Sequence, residues 1–547
     1  MRIALSLAVL CGLSFAADTG VFKTAPPPPA SWERDRVADL TARRKAMMER
    51  IGPKAVLVLF AAEARNYAND VDWPYRQEND FFYMTGLTQS GSTLVLIPGA
   101  DKMKEVLFTP VPVPSRETWT GHMYTSAEAR EVSGVQNVFD AAQFNALMTT
   151  LVPRSRGALM PADPAGRRGA PESAENADTA AAAAGGPGRG GRGGRGGRGG
   201  VGANSPWGAE FEKITQLATS GDLQLYMILP ARPNAVEYRR EQEFAGKLAG
   251  VGAGIAIKDA ASIFGELRRV KSQRELDILQ HAVDITAEGF QRAYALAVPG
   301  TWEFEIQAQF EFTFLRRNGH WGYPCIVGSG VNATTLHYES NKSQMKEGDL
   351  LLMDDAAEFD QYSVDVTRTI PVNGKFTPAQ ADIYRLVYDA QQAGFKEAKP
   401  GKPSTAMQTA AMDVFKKGLL KLGLITDPEN AAQVRVWSIH GMSHGIGLAV
   451  HDPGGRELQP GMVVTLEPGL YFRPDALDNL PKTPEMEKFA AAVRPAFEKY
   501  KGIGVRIEDD VLITNGEPKV MSAGIPSKLE DVEASIARLR AAKSGLQ

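Results

Sequence analysis

Four apolar runs of this 547-residue chain each carry a carboxylate where a core strand would ordinarily exclude one. Asp354 ends "LLLMD", Asp365 lies inside "YSVDVTRT", Glu467 follows "VVTL" and Glu508 lies inside "GVRIEDDV". An ionised carboxylate in apolar surroundings is costly unless a cation meets it. One such residue is ordinarily a salt-bridge partner or a solvent-facing position. Four on separate strands constrain the fold far more, because a single cleft that gathers them satisfies all four at once. Asp354 and Asp365 are eleven apart, and "EFDQY" between them offers a turn at Asp360 and Gln361. Strands paired across that turn would let both carboxylates face one pocket.

The stretch "WSIHGMSHGIGLAVHDPG", residues 437–454, adds His440, His444 and His451, three of the chain's seven histidines. Histidine serves as metal ligand and as proton carrier near neutral pH. Four carboxylates and one imidazole form a hard, oxygen-rich donor set that suits Mn²⁺ first, then Co²⁺ or Fe²⁺, with Zn²⁺ as a further alternative. The charges agree with two divalent ions: four carboxylates carry −4 and the ions +4. A bridging hydroxide then leaves one negative charge for a nearby His or Arg to offset. Asp355 is expected on the opposite strand face as a solvated or salt-bridged bystander. Arg368 in "VTRT" reads as a structural ion-pair partner. His122, His281 and His320 have no motif around them and receive no function.

The length exceeds what one core ordinarily organises, so two or more domains are expected. Residues 31 to about 258 mix helical and strand patterns: "RDRVADLTARRKAMMERI" has helical spacing, while "AVLVLF", "STLVLIPG", "EVLFTPVPV" and "LQLYMIL" read as strands. This is an α/β domain. It is interrupted by a segment in which residues 185–200 hold eleven Gly, four Arg and one Pro. Such a composition cannot bury enough apolar surface to offset its ordering entropy, so 162–206 is expected to be a disordered surface insertion. An RGG-type RNA-binding role lacks the interleaved aromatics that stack on bases, and the net charge of −3 gives no wider footprint for nucleic acid. No nucleic-acid partner is expected.

From about residue 265 the pattern changes to helices followed by strands, which suggests α+β with a largely antiparallel sheet. "SQRE" (Ser272–Glu275) is a capping box ahead of a long periodic run, and Thr377, Pro378 and Gln380 open another helix. "CIVGSG", "LLLMDDA", "YSVDVTRTIPV", "VVTLEPGLYF" and "GVRIEDDVLIT" are the strand runs. Residues 526–547 form a C-terminal helix whose apolar positions 529, 532, 536 and 539 make one stripe. At the other end, Arg2, the run "IALSLAVLCGLSFA" and small residues at 16–17 have the form of a secretory signal peptide covering 1–17. Export to the periplasm or beyond is the expectation, without stable membrane insertion, because the run is short for a span.

"MDDAAEFDQYSVDVTRT", "HGMSHGIGLAVHD", "TLEPGLYF" and "GVRIEDD" occur in the order and spacing of the Xaa-Pro aminopeptidase (aminopeptidase P) and prolidase family, which the chain resembles over residues 265–525. "NDVDWPYRQENDFFYMTGL" resembles the N-terminal domain that accompanies that family. The resemblance implies a pita-bread catalytic fold and cleavage between an N-terminal residue and a following proline. It implies Asp354, Asp365, His444, Glu467 and Glu508 as ligands of two divalent ions, with Asp365 and Glu508 bridging and Glu467 also taking a proton from water. It further implies His337, in "TTLHYESN", near the substrate amide, His440 and His451 beside the metals, and Arg506 as the basic residue of the last motif. A homo-oligomer, dimer or tetramer, is implied as well. The family's usual Gly two residues after the first Asp is Ala356 here. Two rivals are a prolidase confined to X-Pro dipeptides and a metal-free pita-bread peptide-binding module.

Overall fold

Apolar runs rich in β-branched residues form strands in both units into which the chain divides, 30–268 and 1–29 with 269–547. The computed structural model describes residues 20–151, 211–229, 238–250 and 255–543. The expected signal peptide at 1–17 and the insertion at 162–206 lie outside the described residues.

In the 30–268 unit the strand Ala55–Phe60 is buried along its whole length. It pairs antiparallel with Thr93–Leu96 and parallel with Gln224–Met227. Glu105–Thr109, Asn137–Asp140 and Ala256–Asp259 complete a mixed six-stranded sheet. Val56, Val58 and Phe60 share one sheet face by their two-residue period, and pack with Val95, Phe108, Phe144 and Phe244. The "NDFFYMT" stretch is the helix Asn79–Thr85, capped by the Glu78 side chain, with Phe81, Phe82 and Tyr83 buried.

The 269–547 unit is α+β, as the sequence pattern predicts. Both capping boxes form: Ser272 with Glu275 starts the helix Gln273–Leu296, and Thr377 with Gln380 starts Pro378–Phe395. Leu529, Val532, Ile536 and Leu539 are buried on the helix Leu529–Ala541. All strand pairings resolved among the described residues here are antiparallel. Ile326–Ser329, Leu350–Asp354 and Thr367–Pro371 form one three-stranded sheet. Ala357–Phe359 and Tyr362–Ser363 form a hairpin whose turn residues Asp360 and Gln361 have φ of 49° and 65°, the left-handed pair that a two-residue type I′ turn needs.

One expectation is corrected. Three runs read as single strands are each two strands with a break at the carboxylate. Asp365 lies between Tyr362–Ser363 and Thr367–Pro371. Glu467 lies between Val463–Leu466 and Gly469–Tyr471. Glu508 lies between Gly504–Arg506 and Asp509–Leu512. Regular pleating would send alternate side chains to fixed faces; interrupting the ladder frees each carboxylate to turn into the cleft. The register then brings the breaks together. Asp354 is opposite Thr367, the Glu508 N–H donates to the Thr367 carbonyl at 3.1 Å, and Leu466 is opposite Asp509.

Candidate metal centre

The three breaks and the end of the Leu350–Asp354 strand deliver four carboxylates to one cleft, and the 440–452 loop adds the imidazoles. Ligand atoms of Asp365, His444 and Glu508 all lie within 4.8 Å of one another. His444 Nε2 is 3.5 Å from Asp365 Oδ2 and 3.4 Å from Glu467 Oε1. Asp354 joins through Tyr323, whose hydroxyl is 2.5 Å from Asp354 Oδ1 and 2.7 Å from Asp365 Oδ1. Asp354 and Asp365 are buried and Glu508 is 1% exposed.

Electrostatics shows a cluster with too much negative charge for its surroundings. Burial pushes Glu508 well above the carboxylate range, and Asp365, Glu467 and Asp354 push it further. Burial likewise raises Asp365 and lifts Glu467 to about 8, against the pull of His444 and Arg506. Burial opposes the charged ring of His444, yet Asp365 and Glu467 outweigh it and hold that imidazole at about 9. Protons thus fill the place of missing positive charge.

The donor set fits divalent cations on two further observations. Glu508 Oε1 is buried with no hydrogen-bond partner, although its Oε2 accepts from Thr367 at 2.7 Å; a buried carboxylate oxygen without a donor is what a cation satisfies. His444 Nδ1 faces the Gly445 carbonyl at 3.0 Å, which must accept its proton and so turns the Nε2 lone pair toward the acids, the arrangement metal-bound histidines share.

Arg506 sits behind this set. Its Nη2 pairs with Asp354 Oδ2, its Nε donates to Thr367 Oγ1 at 3.0 Å and its Nη1 to the Tyr471 hydroxyl at 2.9 Å. Tyr471 in turn meets His440 Nε2 at 2.8 Å, and His440 Nδ1 faces the Gly441 carbonyl. A carbonyl can only accept, so the His440 proton is on Nδ1 and Nε2 accepts from Tyr471. Burial, reinforced by Arg506, pushes His440 down to about 4, leaving it neutral at ordinary pH. A Cβ on Gly469 would lie 2.3 Å from the Tyr471 hydroxyl and 2.9 Å from His440 Nε2, so only glycine allows this contact.

His451 is exposed, with its ring centroid 4.2 Å from that of His444, and burial followed by His444 lowers its pKa. His337 is exposed after the turn Gly330–Thr334, near enough for its charge to act on His440 and His451.

Sequence reasoning missed Tyr323, Tyr471 and Asp510. Asp510 is fully buried, its Oδ2 accepts the Asp365 N–H at 3.2 Å, and its Oδ1 has no partner. The two-residue period of "EDD" puts Glu508 and Asp510 on one face, a signal that was present. Tyr323, in "HWGYPC", gave none, since its role depends on contacts 31 and 42 residues away. Asp355 is the correction. It is neither solvated nor salt-bridged: it is fully buried, with the Cys325 thiol as its polar neighbour. Burial pushes its pKa well above the carboxylate range, against the pull of that thiol. Both sheet faces are covered here, and the back of the strand therefore leads into core rather than water.

The model of Metallopeptidase family M24 matches residues 277–515, and that of the aminopeptidase P N-terminal domain matches 40–159. The Xaa-Pro aminopeptidase of Escherichia coli is 30% identical over 511 residues, 91% of this chain and 97% of that protein. A Zn-substituted Escherichia coli aminopeptidase P in complex with product aligns with a TM-score of 0.70 at 29% identity, covering 92% of this chain and 98% of that one. The Escherichia coli enzyme with the inhibitor Pro-Leu aligns at 0.71 and 29% identity, covering 92% and 99%.

Proposed function

This chain belongs to the Xaa-Pro aminopeptidase family of metallopeptidases, and we propose that its carboxylate cleft hydrolyses the bond between an N-terminal residue and a following proline. The observation that carries this reading is the gathering of ligand atoms of Asp365, His444 and Glu508 within 4.8 Å of one another, with one Glu508 oxygen buried and without a partner. Asp354, Asp365, His444, Glu467 and Glu508 would hold two divalent cations, Mn²⁺ first because the donors are mostly oxygen. When bound, such a pair supplies Lewis acidity and makes water more acidic at neutral pH.

The chain's own residues do the rest. Glu467, only partly covered and flanked by His440 and His444 at 3.5 and 3.4 Å, accepts the proton from water at a carboxylate oxygen. Arg506 fixes Asp354 and, through Tyr471, the tautomer of His440. His337 and His451 line the substrate side and offer ring nitrogens to a polarised peptide carbonyl, while the His440 ring, with its nitrogens engaged by Gly441 and Tyr471, is held neutral beside Glu467. Pro-Leu, the inhibitor seen with the Escherichia coli relative, is by its chemistry what remains of an X-Pro-Leu peptide once the first residue leaves. We further propose export from the cytoplasm, on the signal-like sequence of residues 1–17, residues 265–525 with the helix from 526 as the catalytic part, and a dimer or tetramer as the working state, as the family resemblance implies.

The test is hydrolysis of a short X-Pro-Y peptide by metal-stripped full-length protein, with and without Mn²⁺. Cleavage of the X–Pro bond only with metal, faster than for an X-Pro dipeptide, is expected. Equal rates without metal, or no cleavage with any divalent ion, would overturn it.

A further inference from the structure

The ligand His444 and its neighbour His451 are anchored by different means. His444 is tied to the strand Val463–Leu466: its N–H donates to Thr465 Oγ1 at 3.1 Å, and the Thr465 N–H returns to its carbonyl at 2.8 Å. His451 has no strand under it. It stands at the end of the glycine-rich loop that leaves His444, and the next residue is Asp452.

Asp452 closes that loop on itself. Its N–H donates to the Gly445 carbonyl at 2.9 Å, and its Oδ1 accepts from the Ala449 N–H at 3.2 Å. Its other oxygen lies 3.6 Å from Lys271 Nζ, and both side chains are 1% exposed. Lys271 is itself fixed, since its N–H donates to the Gly461 carbonyl at 2.9 Å and its Nζ reaches the Arg269 carbonyl at 3.4 Å. The loop wraps the pair so tightly that a Cβ on Gly447 would lie 2.6 Å from Asp452 Oδ2 and 3.3 Å from Lys271 Cε. The Gly447 carbonyl in turn accepts from the Ser363 N–H at 2.8 Å, two residues before Asp365.

An ion pair this dry is a poor source of net stability, because desolvating both charges offsets their attraction. What it supplies is a fixed geometry. We infer that Lys271 and Asp452 are a positioning pair for the proposed reaction, holding His451 over His444 on the substrate side of the cleft. The inference rests on the reading of that cleft as the peptidase site. Because the His444 backbone is also pinned to the strand Val463–Leu466, loss of the pair acts mainly on His451 and on turnover, although the Gly445 carbonyl that meets His444 Nδ1 also accepts the Asp452 N–H.

The experiment uses full-length, zinc-loaded protein with ¹⁵N-labelled histidines, as wild type, Lys271→Met and the double variant Lys271→Met/Asp452→Asn. Expected is a fall in kcat on an X-Pro-Y peptide of about tenfold to a hundredfold in both variants, the range seen when a ligand's supporting partner is removed. Zinc per chain stays at the wild-type value, and the ring resonances of His451 shift more than those of His444, whose ring lies 4.2 Å away. If Lys271→Met strands Asp452 and fails to fold, the double variant, which buries no net charge, carries the test. Unshifted His451 resonances overturn the inference, whatever happens to kcat, and so does wild-type kcat in the folded double variant. Wild-type protein that cleaves the peptide with none of Zn²⁺, Mn²⁺ and Co²⁺ defeats the peptidase reading, while the resonances still decide what the pair holds.

Discussion

Glu508 and Asp509 are adjacent, both essentially buried, and they face opposite sides of one sheet with opposite electrostatic outcomes. Asp509 looks onto a closed network. Arg368 Nη2 pairs with it at 2.6 Å, Ser522 Oγ donates to it at 2.5 Å and Gln391 Nε2 at 3.0 Å. Burial works against the Arg368 charge, yet Asp509 outweighs it and raises that guanidinium's pKa, and the remaining Arg368 donors reach the carbonyls of Thr367, Glu508, Ile525 and Pro526. One negative charge meets one positive charge. Glu508 looks onto Asp354, Asp365 and Glu467 with one guanidinium, Arg506, among them, and keeps an oxygen with no donor. A buried charge pair completed by the protein is architecture; a surplus of acids that the protein leaves incomplete is a seat for cations.

The contrast predicts opposite mutational responses, and the largest belongs to the open face. Glu467→Gln removes the proton acceptor without changing shape, and kcat on an X-Pro-Y peptide should fall by about 10²–10⁴-fold, while the metal-free protein melts no lower than wild type. Stopped assays and thermal melts on stripped protein check both halves. A variant that loses stability but keeps its rate would erase the distinction between the faces.

On the closed face the signs reverse. Asp509→Asn leaves Arg368 buried without its counter-charge, and unfolding free energy should drop by about 3–5 kcal/mol, the cost of breaking a buried pair by removing one partner. Urea unfolding of wild type and variant measures it, and the surviving folded fraction should retain its metal. A loss under about 1 kcal/mol would mean that Arg368 finds other compensation among its carbonyl partners.

A pH series sharpens the comparison next. Glu467 titrates at about 8 in the folded, metal-free protein, well above the carboxylate range of an unfolded chain. Between those values the folded state binds more protons than the unfolded one, so stability falls as pH rises. Asp365 and Glu508 shift the same way. His444, raised to about 9, contributes stability that is complete below the unfolded histidine value and lost as pH climbs through 9. Metal-free protein should therefore melt progressively lower between about pH 7, above which the lowered His440 and His451 no longer oppose the trend, and about pH 9, and the gap to metal-loaded protein should widen. A metal-free melting temperature that rises with pH would contradict the surplus of acids.

The open face was the more legible of the two in the sequence. Asp354, Asp365, Glu467 and Glu508 stand out because apolar residues surround them, and His444 because its neighbours are glycines and histidines. What could not be read is what tertiary contact alone decides. The breaks at Asp365 and Glu508 sit in runs that read as single strands, where nothing local marks an interruption, whereas the break at Glu467 was signalled by Pro468 and Gly469, a turn-forming pair that the strand reading passed over. Tyr323 bridges two carboxylates from a stretch with no periodic signal. Asp355 was placed in solvent by strand alternation, which fixes a face but not what covers it. Arg368 was read as an ion-pair partner from charge alone, and its partner Asp509 came from a strand 141 residues on.

The smallest effect lies where the two faces are joined. Gln391, fully buried on the helix Pro378–Phe395, directs Nε2 at the carbonyls of Leu466 and Ile507, both at 3.2 Å, as well as at Asp509. Those carbonyls immediately precede Glu467 and Glu508, so one amide from the closed network supports both breaks of the open one. Its two hydrogens serve three acceptors while its own oxygen has no partner, and the net gain is accordingly modest. Gln391→Leu, similar in bulk, should lower stability by about 1 kcal/mol, while the Arg368–Asp509 pair persists. If the breaks are held chiefly from this side, the variant should also need more Mn²⁺ for half-maximal rate, with kcat at saturating metal preserved. A wild-type metal requirement together with the stability loss would assign the shaping of the breaks to the Glu508–Thr367 backbone bond instead, and detach the open face from the closed one.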